Sequence, residues 1–228
     1  MVSLGQISIR MVFVAAGACL LVGADAHAAP GGTVSGTVVV RHDGAAKDDH
    51  SGIVVYLELG ANPSRELDKR RVAITQRDLA FSPAFNVVQK GTTIAFPNSD
   101  KVFHNVFSLS QASRFDLGLY KSGEEKSVTF TRPGVVDIYC NIHPQMVAKV
   151  LVLDTYLFAT TARDGTFRIP NVPDGDYPVV AWERNGGRQT GTAVIKNGGA
   201  ASVTMTLDEG RAQTAHTRKD GTPYGRYQ

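Results

Sequence analysis

The chain has 228 residues and a formal net charge of only +3, from 24 lysines and arginines against 21 aspartates and glutamates. This length allows one or two domains. So small a charge implies no broad basic surface of the kind by which many proteins bind nucleic acids, and we expect no nucleic-acid partner.

Residues 1–28 have the pattern of a signal peptide. Arg10 precedes an apolar run over residues 11–22, and Ala26-His27-Ala28 supplies a small-x-small cleavage pattern. The run is shorter than the roughly 20 apolar residues of a membrane-spanning helix, and the residues before Cys19 form a poor lipoprotein signal. We therefore expect cleavage near Ala28, export to the periplasm and no stable membrane span.

Two strands rich in β-branched residues are predicted next, over residues 33–41 and 52–59. The polar loop between them carries His42 and His50 among several aspartates. We interpret it as a solvated hairpin loop rather than a metal site, because no ligand spacing is recognisable. Residues 60–71 predict a linker.

Short strands separated by turn signals then follow, at residues 72–76, 81–88, 92–96, 104–109, 126–130, 135–139 and 147–153. Residues 110–125 show little periodicity and predict a long loop. A succession of short strands of this kind predicts an all-β sandwich.

A second set of short strands is predicted beyond residue 154, at residues 156–162, 166–170, 177–183, 191–196 and 202–207. Glycine-containing turns such as Pro173-Asp174-Gly175 separate them. The tail, residues 209–228, lacks aliphatic runs, and we expect it to be disordered, with His216 as a surface residue.

The chemistry-bearing motif is Cys140-Asn141-Ile142-His143-Pro144-Gln145-Met146, which places a thiol, an imidazole and a thioether on one short loop. A second imidazole, His104, lies upstream. Two histidines, one cysteine and a weak axial methionine are the ligands of a blue-copper electron-transfer site, since soft sulfur suits Cu(I) and imidazole suits both oxidation states. Signal cleavage removes Cys19 and leaves a single cysteine, which excludes a binuclear copper centre with two.

Residues 72–154 resemble the cupredoxins, the blue-copper proteins such as plastocyanin, pseudoazurin and amicyanin. The resemblance rests on Phe96-Pro97-Asn98-Ser99-Asp100, His104-Asn105-Val106, Pro133-Gly134 and the motif from Cys140 to Met146. The spacing of the last motif is most similar to amicyanin and to cupredoxin-like proteins of methylamine utilisation.

The resemblance implies a Greek-key β-sandwich that binds one type 1 copper ion through His104, Cys140, His143 and Met146. It implies that His104 is the buried imidazole and that His143 lies nearest the solvent. Two further residues follow from it: the backbone N–H of Asn105 would point at the Cys140 sulfur, and Pro144 would cover the metal with an apolar lip.

The segment from Asp164 to Tyr177 resembles the carboxypeptidase regulatory-like β-sandwich, which implies a prealbumin-like or carbohydrate-binding-like fold. The early strands of that family have candidates only before residue 60. We therefore expect residues 30–60 and 155–208 to form one discontinuous sandwich, into which the cupredoxin is inserted. The hypothesis predicts that the strand at residues 34–40 pairs with a strand beyond residue 156.

The cupredoxin resemblance implies electron transfer with a redox partner protein and without catalysis. Two alternatives stay open. A copper carrier or store would keep the same ligands and exchange the metal readily. A cell-surface binding module would use the second sandwich and carry copper incidentally. A copper oxidoreductase is not expected, because the sequence offers no second histidine cluster.

Overall fold

The computed structural model describes residues 31–60, 71–211 and 216–224, and within these ranges every regular element is a β-strand. The strands, numbered in chain order, are β1 (Gly32–His42), β2 (Ala45–Ala46), β3 (Val54–Leu57), β4 (Val72–Ala73), β5 (Thr75–Arg77), β6 (Ala80–Ser82), β7 (Phe85–Gln89), β8 (Thr93–Pro97), β9 (His104–Ser108), β10 (Phe115–Tyr120), β11 (Glu125–Thr129), β12 (Gly134–Cys140), β13 (Val147–Leu153), β14 (Phe158–Thr160), β15 (Thr166–Val172), β16 (Gly175–Trp182), β17 (Arg188–Ile195) and β18 (Ala200–Asp208). The predicted all-β class is confirmed. The predicted signal peptide and most of the predicted linker lie outside the described residues.

Strands β4 to β13 surround one apolar core. Five of them form a sheet in the order β10-β9-β12-β13-β7, and β11-β8-β4 form a second sheet. The pairing of β13 with β7 is parallel, whereas β9, β10, β12 and β13 pair antiparallel. Buried side chains from both sheets and from the segments next to their strands form this core, including Phe96, Phe130, Ile138, Cys140 and Met146. The core therefore extends to the end of β12, where the candidate ligands lie.

The remaining strands build a second pair of sheets, in the orders β15-β1-β18 and β14-β3-β16-β17. Strand β1 pairs antiparallel with β15 and parallel with β18, and β3 pairs antiparallel with both β14 and β16. Strands on both sides of residues 72–154 thus share the same sheets and one apolar core. This is the pairing that the insertion hypothesis requires.

Gly36 shows how closely β1 fits between its neighbours. It stands opposite Phe167 of β15 and Val203 of β18. A Cβ atom at this position would lie 1.8 Å from the carbonyl oxygen of Val203. The glycine of the early strand is therefore required by close backbone approach.

A third apolar cluster joins the two pairs of sheets. Leu151 and Leu153 of β13 pack with Val54 of β3 and with Trp182 of β16. The Trp182 ring stacks on Phe85 of β7, with ring centroids 5.8 Å apart and an interplanar angle of 26°. The two pairs of sheets are therefore joined by packed side chains as well as by the covalent chain.

Two expectations differ from the structure. Strand β10 lies within residues 110–125, where we predicted a loop. Its register against β9 shifts between Asp116 and Leu119, and Gly118 between them has a φ of 67°. This irregularity turns Leu119 outward, at 58% exposure, and so breaks the alternation by which a strand is recognised in a sequence.

The tail is the second difference. Residues 216–224 lie against the sheet that contains β9, β10 and β12, through the side chains of His216, Lys219 and Tyr224. Hydrogen bonds and ring contacts supply the order that aliphatic residues do not. The described ranges contain no helix long and apolar enough to cross a membrane.

Candidate metal centre

The sheet brings His104 and Cys140 to the same end and the same face. His104 is the first residue of β9 and Cys140 the last residue of β12, and these two strands are neighbours. Cys140 stands opposite Val106, which is two residues after His104. Because side chains two residues apart share a face of a strand, the Cys140 sulfur and the His104 ring point into the same space.

The turn after β12 brings in the remaining predicted ligands. The N–H of Met146 donates to the carbonyl of His143 at 3.0 Å, and the N–H of Cys140 donates to the carbonyl of Met146 at 3.2 Å. These two bonds close the loop between Cys140 and Met146. The Met146 side chain is fully buried in the same apolar cluster as Cys140.

The ligand atoms of His104, Cys140 and His143 form a small triangle. The two Nδ1 atoms are 3.0 Å apart, and the Cys140 Sγ lies 3.8 Å from Nδ1 of His104 and 3.6 Å from Nδ1 of His143. The centre of such a triangle is about 2 Å from each corner, close to the length of metal–imidazole and metal–thiolate bonds in proteins. The three side chains therefore fit one metal ion.

The surroundings of Cys140 favour its thiolate. Burial raises the pKa of the Cys140 thiol, but hydrogen bonds from His104 and from the backbone N–H groups of Asn105, Ile142 and His143 outweigh burial. The pKa of this thiol therefore lies below its ordinary value. Since the thiolate is the form that binds a metal, the site is prepared for a soft cation.

The two imidazoles differ in exposure and in basicity. His104 is fully buried and His143 is half-buried. Burial lowers the pKa of His104, but its contacts with Cys140 and Asp100 outweigh burial and raise that pKa. Burial, together with repulsion from His104, lowers the pKa of His143. A neutral His143 has a lone pair available for a metal.

Asp100 orients His104, a role that was not predicted from the sequence. Its Oδ2 atom lies 2.8 Å from Nε2 of His104. A proton on Nε2 donated to this carboxylate leaves Nδ1 as the acceptor, and Nδ1 is the atom that faces Cys140 and His143. A carboxylate four residues before a candidate histidine ligand was the available signal.

Asp100 is itself held by a tight hairpin. Its oxygens accept the backbone N–H groups of Asp78 at 2.6 Å and Leu79 at 3.1 Å. These residues form the two-residue turn between β5 and β6 and have φ values of 54° and 55°. A leucine rarely adopts positive φ, so the carboxylate stabilises a strained turn while the turn orients the carboxylate.

The two outer residues implied by the cupredoxin resemblance lie close to the site. A backbone hydrogen bond from Asn105 to Cys140 is among those that lower the thiol pKa. The carbonyl of Asn105 also accepts the N–H of Asn141 at 3.3 Å. Pro144 is partly exposed in the turn between His143 and Met146. Its predicted role as an apolar lip stays a prediction.

The histidines of the first loop make no comparable site. Nδ1 of His50 accepts the backbone N–H of Val40 at 3.1 Å, and His42 lies 3.1 Å from Glu209. Among the histidine, cysteine, aspartate and glutamate side chains of residues 31–60, 71–211 and 216–224, only His104, Cys140 and His143 form a group of three that lie close enough together to hold one metal ion.

The family described as copper binding proteins, plastocyanin/azurin family, matches residues 69–153. The matched range contains His104, Asn105, Cys140, His143 and Met146. This part of the chain thus matches the copper-binding domain of that family. Copper is the cofactor that the family and the His–Cys–His group identify together.

Solved structures with similar folds include three copper proteins. A Cu-containing nitrite reductase from Thermus scotoductus SA-01 is 24% identical, with a TM-score of 0.37, over 42% of this chain and 25% of that chain. The Novel Purple Cupredoxin from Nitrosopumilus maritimus is 26% identical, with a TM-score of 0.33, over 36% of this chain and 99% of that chain. A point mutant of amicyanin with Cu(I) is 22% identical, with a TM-score of 0.35, over 46% of this chain and all of that chain. The chain thus spans about a quarter of the reductase and the full length of the amicyanin.

Proposed function

We propose that this protein is an exported electron-transfer protein with one type 1 copper ion, and that it is not an enzyme. His104, Cys140 and His143 would hold the ion, and Met146 would be a fourth, weaker ligand. The observation that carries the proposal is the triangle of one sulfur and two imidazole nitrogens, with sides of 3.0, 3.6 and 3.8 Å.

Electron transfer is favoured by the rigidity of the ligand supports. His104 is held by β9 and by Asp100, and Cys140 is the last residue of a seven-residue strand. Hydrogen bonds within the turn restrain the segment from Cys140 to Met146. A copper ion supplies reversible one-electron chemistry, and ligands that move little between its two oxidation states suit that chemistry.

Hydrogen bonds to the sulfur would tune the reduction potential. The backbone N–H groups of Asn105, Ile142 and His143 all interact with Cys140. Donors of this kind stabilise negative charge on the thiolate and so change how strongly it donates to copper. The potential would thus depend on the backbone of one strand, β9, and of the turn after β12, which makes it a property of the fold.

The second pair of sheets would be a single discontinuous domain. We infer that residues 30–60 and 155–208 form a regulatory-like sandwich and that residues 72–154 are inserted into it. The pairing of β1 with β15 and β18 supports this division. The packed contact around Trp182 would hold the copper domain in a constant orientation relative to the second sandwich.

Export would explain the proposed use of a single cysteine. The signal-peptide pattern of residues 1–28 would direct the mature protein to the periplasm, where an unpaired thiol would be exposed to oxidation. Binding of copper by Cys140 would protect that thiol. The redox partner would be another exported protein, and the amicyanin-like spacing of the copper loop makes a methylamine-oxidising system the first partner to test.

The deciding experiment adds Cu(II) to the metal-free protein and records the visible spectrum. The proposal expects one copper per chain and an intense blue thiolate-to-copper band. Cyclic voltammetry of the loaded protein should then show reversible cycling, with the copper retained against a modest chelator.

Two outcomes would contradict electron transfer. Rapid loss of copper to the chelator in either oxidation state would favour a carrier. Binding of copper without a blue band would mean that Cys140 is not a ligand.

Nitrite reduction by the copper-loaded protein would contradict a different part of the proposal, namely that the protein is not an enzyme.

A further inference from the structure

We infer that residues 216–224, here called the C-terminal strap, position the cysteine end of the copper site. The first contact is direct. The Tyr224 hydroxyl donates to the carbonyl oxygen of Cys140 at 2.7 Å. Cys140 ends β12, so this bond holds the peptide group at the point where the strand becomes the ligand-bearing turn.

Lys219 extends the contact to the next residue and to a neighbouring strand. Its backbone N–H donates to Oδ1 of Asn141 at 2.9 Å, and its ammonium group lies 2.6 Å from Oδ2 of Asp116. Asp116 belongs to β10. One strap residue therefore connects the turn after Cys140 with the strand at the edge of the sheet.

These contacts close a ring of hydrogen bonds through residues next to the candidate ligands in the chain. Oδ1 of Asp116 accepts the side-chain N–H of Asn105 at 2.7 Å, and the carbonyl of Asn105 accepts the N–H of Asn141 at 3.3 Å. Asn105 follows His104 directly. The ring thus joins the strand of one candidate ligand to the turn of two others, and Lys219 makes two of its bonds.

One ring contact attaches the strap to the sheet, and further ring contacts hold the strap together. His216 stacks on Tyr139, with ring centroids 4.2 Å apart and an interplanar angle of 16°. The Tyr224 ring meets His216 edge-on at 5.1 Å, and the Arg218 guanidinium lies 5.7 Å from the centroid of the Tyr224 ring. Since Tyr139 precedes Cys140, the strap contacts the residues on both sides of the cysteine.

Tyr224 and Lys219 are therefore positioning residues, which act through the Cys140 carbonyl and through the Asn141 and Asp116 side chains. Without them the turn would open more often and expose the thiol. The hydroxyl also places the positive end of its dipole near the cysteine, which favours the less positive oxidation state of copper. The effect on copper rests on the proposed copper function, whereas the exposure of the thiol does not.

The test compares Tyr224→Phe and Lys219→Ala with matched controls in a Cys19→Ser background, in which Cys140 is the only thiol. Tyr177→Phe removes a hydroxyl that donates to the Pro173 carbonyl at 3.0 Å, in β16 of the second sandwich. Lys47→Ala removes an ammonium group that lies 2.9 Å from Glu209. Tyr177→Phe thus deletes a hydroxyl–carbonyl bond like that of Tyr224, and Lys47→Ala deletes an ammonium–carboxylate contact like that of Lys219, both outside the strap.

The first measurement is the rate at which a thiol reagent modifies Cys140 in the metal-free protein. Loss of one hydrogen bond should raise the opening equilibrium, and with it the rate, about fivefold in Tyr224→Phe and in Lys219→Ala. The two controls should react at the original rate. The second measurement is the reduction potential of the copper-loaded protein, which should fall in Tyr224→Phe and stay constant in Tyr177→Phe.

Unchanged thiol reactivity in both strap variants would overturn the inference, whatever the colour of the copper-loaded protein. A rise in reactivity matched by an equal loss of global stability in denaturant would also overturn it, because the strap would then stabilise the whole fold without positioning the site. Failure to form a blue protein would contradict the proposed function and leave the thiol measurement valid.

Discussion

The Asp100 carboxylate and the His104 imidazole are joined by a 2.8 Å contact between Oδ2 and Nε2. The same carboxylate accepts two backbone N–H groups from the hairpin between β5 and β6. The hairpin therefore orients Asp100, and Asp100 orients the buried imidazole. A residue outside the candidate ligand set thus holds the His104 ring so that Nδ1 faces Cys140.

The first prediction concerns Asp100→Asn. An asparagine amide can donate to Nε2 of His104 and so favours the tautomer that carries its proton on Nδ1, the nitrogen that faces the site. Copper affinity should fall about ten- to hundredfold, as is typical when such a partner is lost. Competition with a chelator of known affinity measures this.

The matched control for this variant is Asp174→Asn. Asp174 also accepts two backbone N–H groups, from Asn197 at 2.7 Å and Gly198 at 2.8 Å, but it lies in the second sandwich. The control should lose stability without losing copper affinity. Equal copper affinities of Asp100→Asn and the unaltered protein would contradict the assigned role.

The second prediction is the pH dependence of the Asp100–His104 pair in the metal-free protein. Burial raises the pKa of Asp100, but hydrogen bonds from His104 and from the hairpin N–H groups outweigh it and place the pKa below the ordinary 3.8. The pKa of His104 lies above its ordinary 6.5, since its contacts with Cys140 and Asp100 outweigh burial.

The lowered pKa of Asp100 stabilises the fold above pH 3.8, and this contribution is lost as the pH falls through the folded-state pKa. The raised pKa of His104 stabilises it below pH 6.5, and that contribution is lost as the pH rises through the folded-state pKa. The stability difference between the unaltered protein and Asp100→Asn should therefore be largest between these limits. Denaturant unfolding across the pH range measures it, and a difference that is constant with pH would contradict the pairing.

The third prediction concerns Cys140→Ser. Cys140 is the only cysteine among the described residues, and it is fully buried. The variant should lose the blue band because no thiolate remains, and it should stay folded because serine is smaller than cysteine and can accept the same backbone N–H groups. Visible spectra and circular dichroism test the two statements separately. A blue Cys140→Ser protein would end the assignment.

The fourth prediction concerns the contact between the two sandwiches. Trp182→Ala removes a side chain that is 8% exposed and stacks on Phe85. The unfolding free energy should fall by about 3–5 kcal/mol, and the two units should then unfold in separate thermal transitions. Differential scanning calorimetry resolves them.

Trp182→Phe serves as the control, because a phenylalanine keeps a ring against Phe85. Its loss of unfolding free energy should stay clearly below that of the alanine variant. A single cooperative transition in Trp182→Ala, with stability unchanged, would show that the two units are coupled elsewhere.

The sequence by itself determined the strand-rich class and supplied the candidate metal ligands. Copper chemistry admits few side-chain types, and Cys140, His143 and Met146 occur within one short loop. Local spacing was therefore sufficient to predict them as candidate ligands. The resemblance of the glycine-containing early strand to the regulatory-like family also led us to predict that this strand pairs with one beyond residue 156.

Only the tertiary structure decided what surrounds the ligands. Asp100 meets the hairpin at Asp78 and Leu79, and Tyr224 meets Cys140 across 84 positions of the sequence. Such contacts depend on how sheets pack and where a chain returns, which hydrophobic periodicity does not encode. Strand β10 escaped recognition for a related reason, since the register shift that exposes Leu119 exists only against β9. Ligand identity follows from local chemistry, whereas ligand orientation follows from long-range packing.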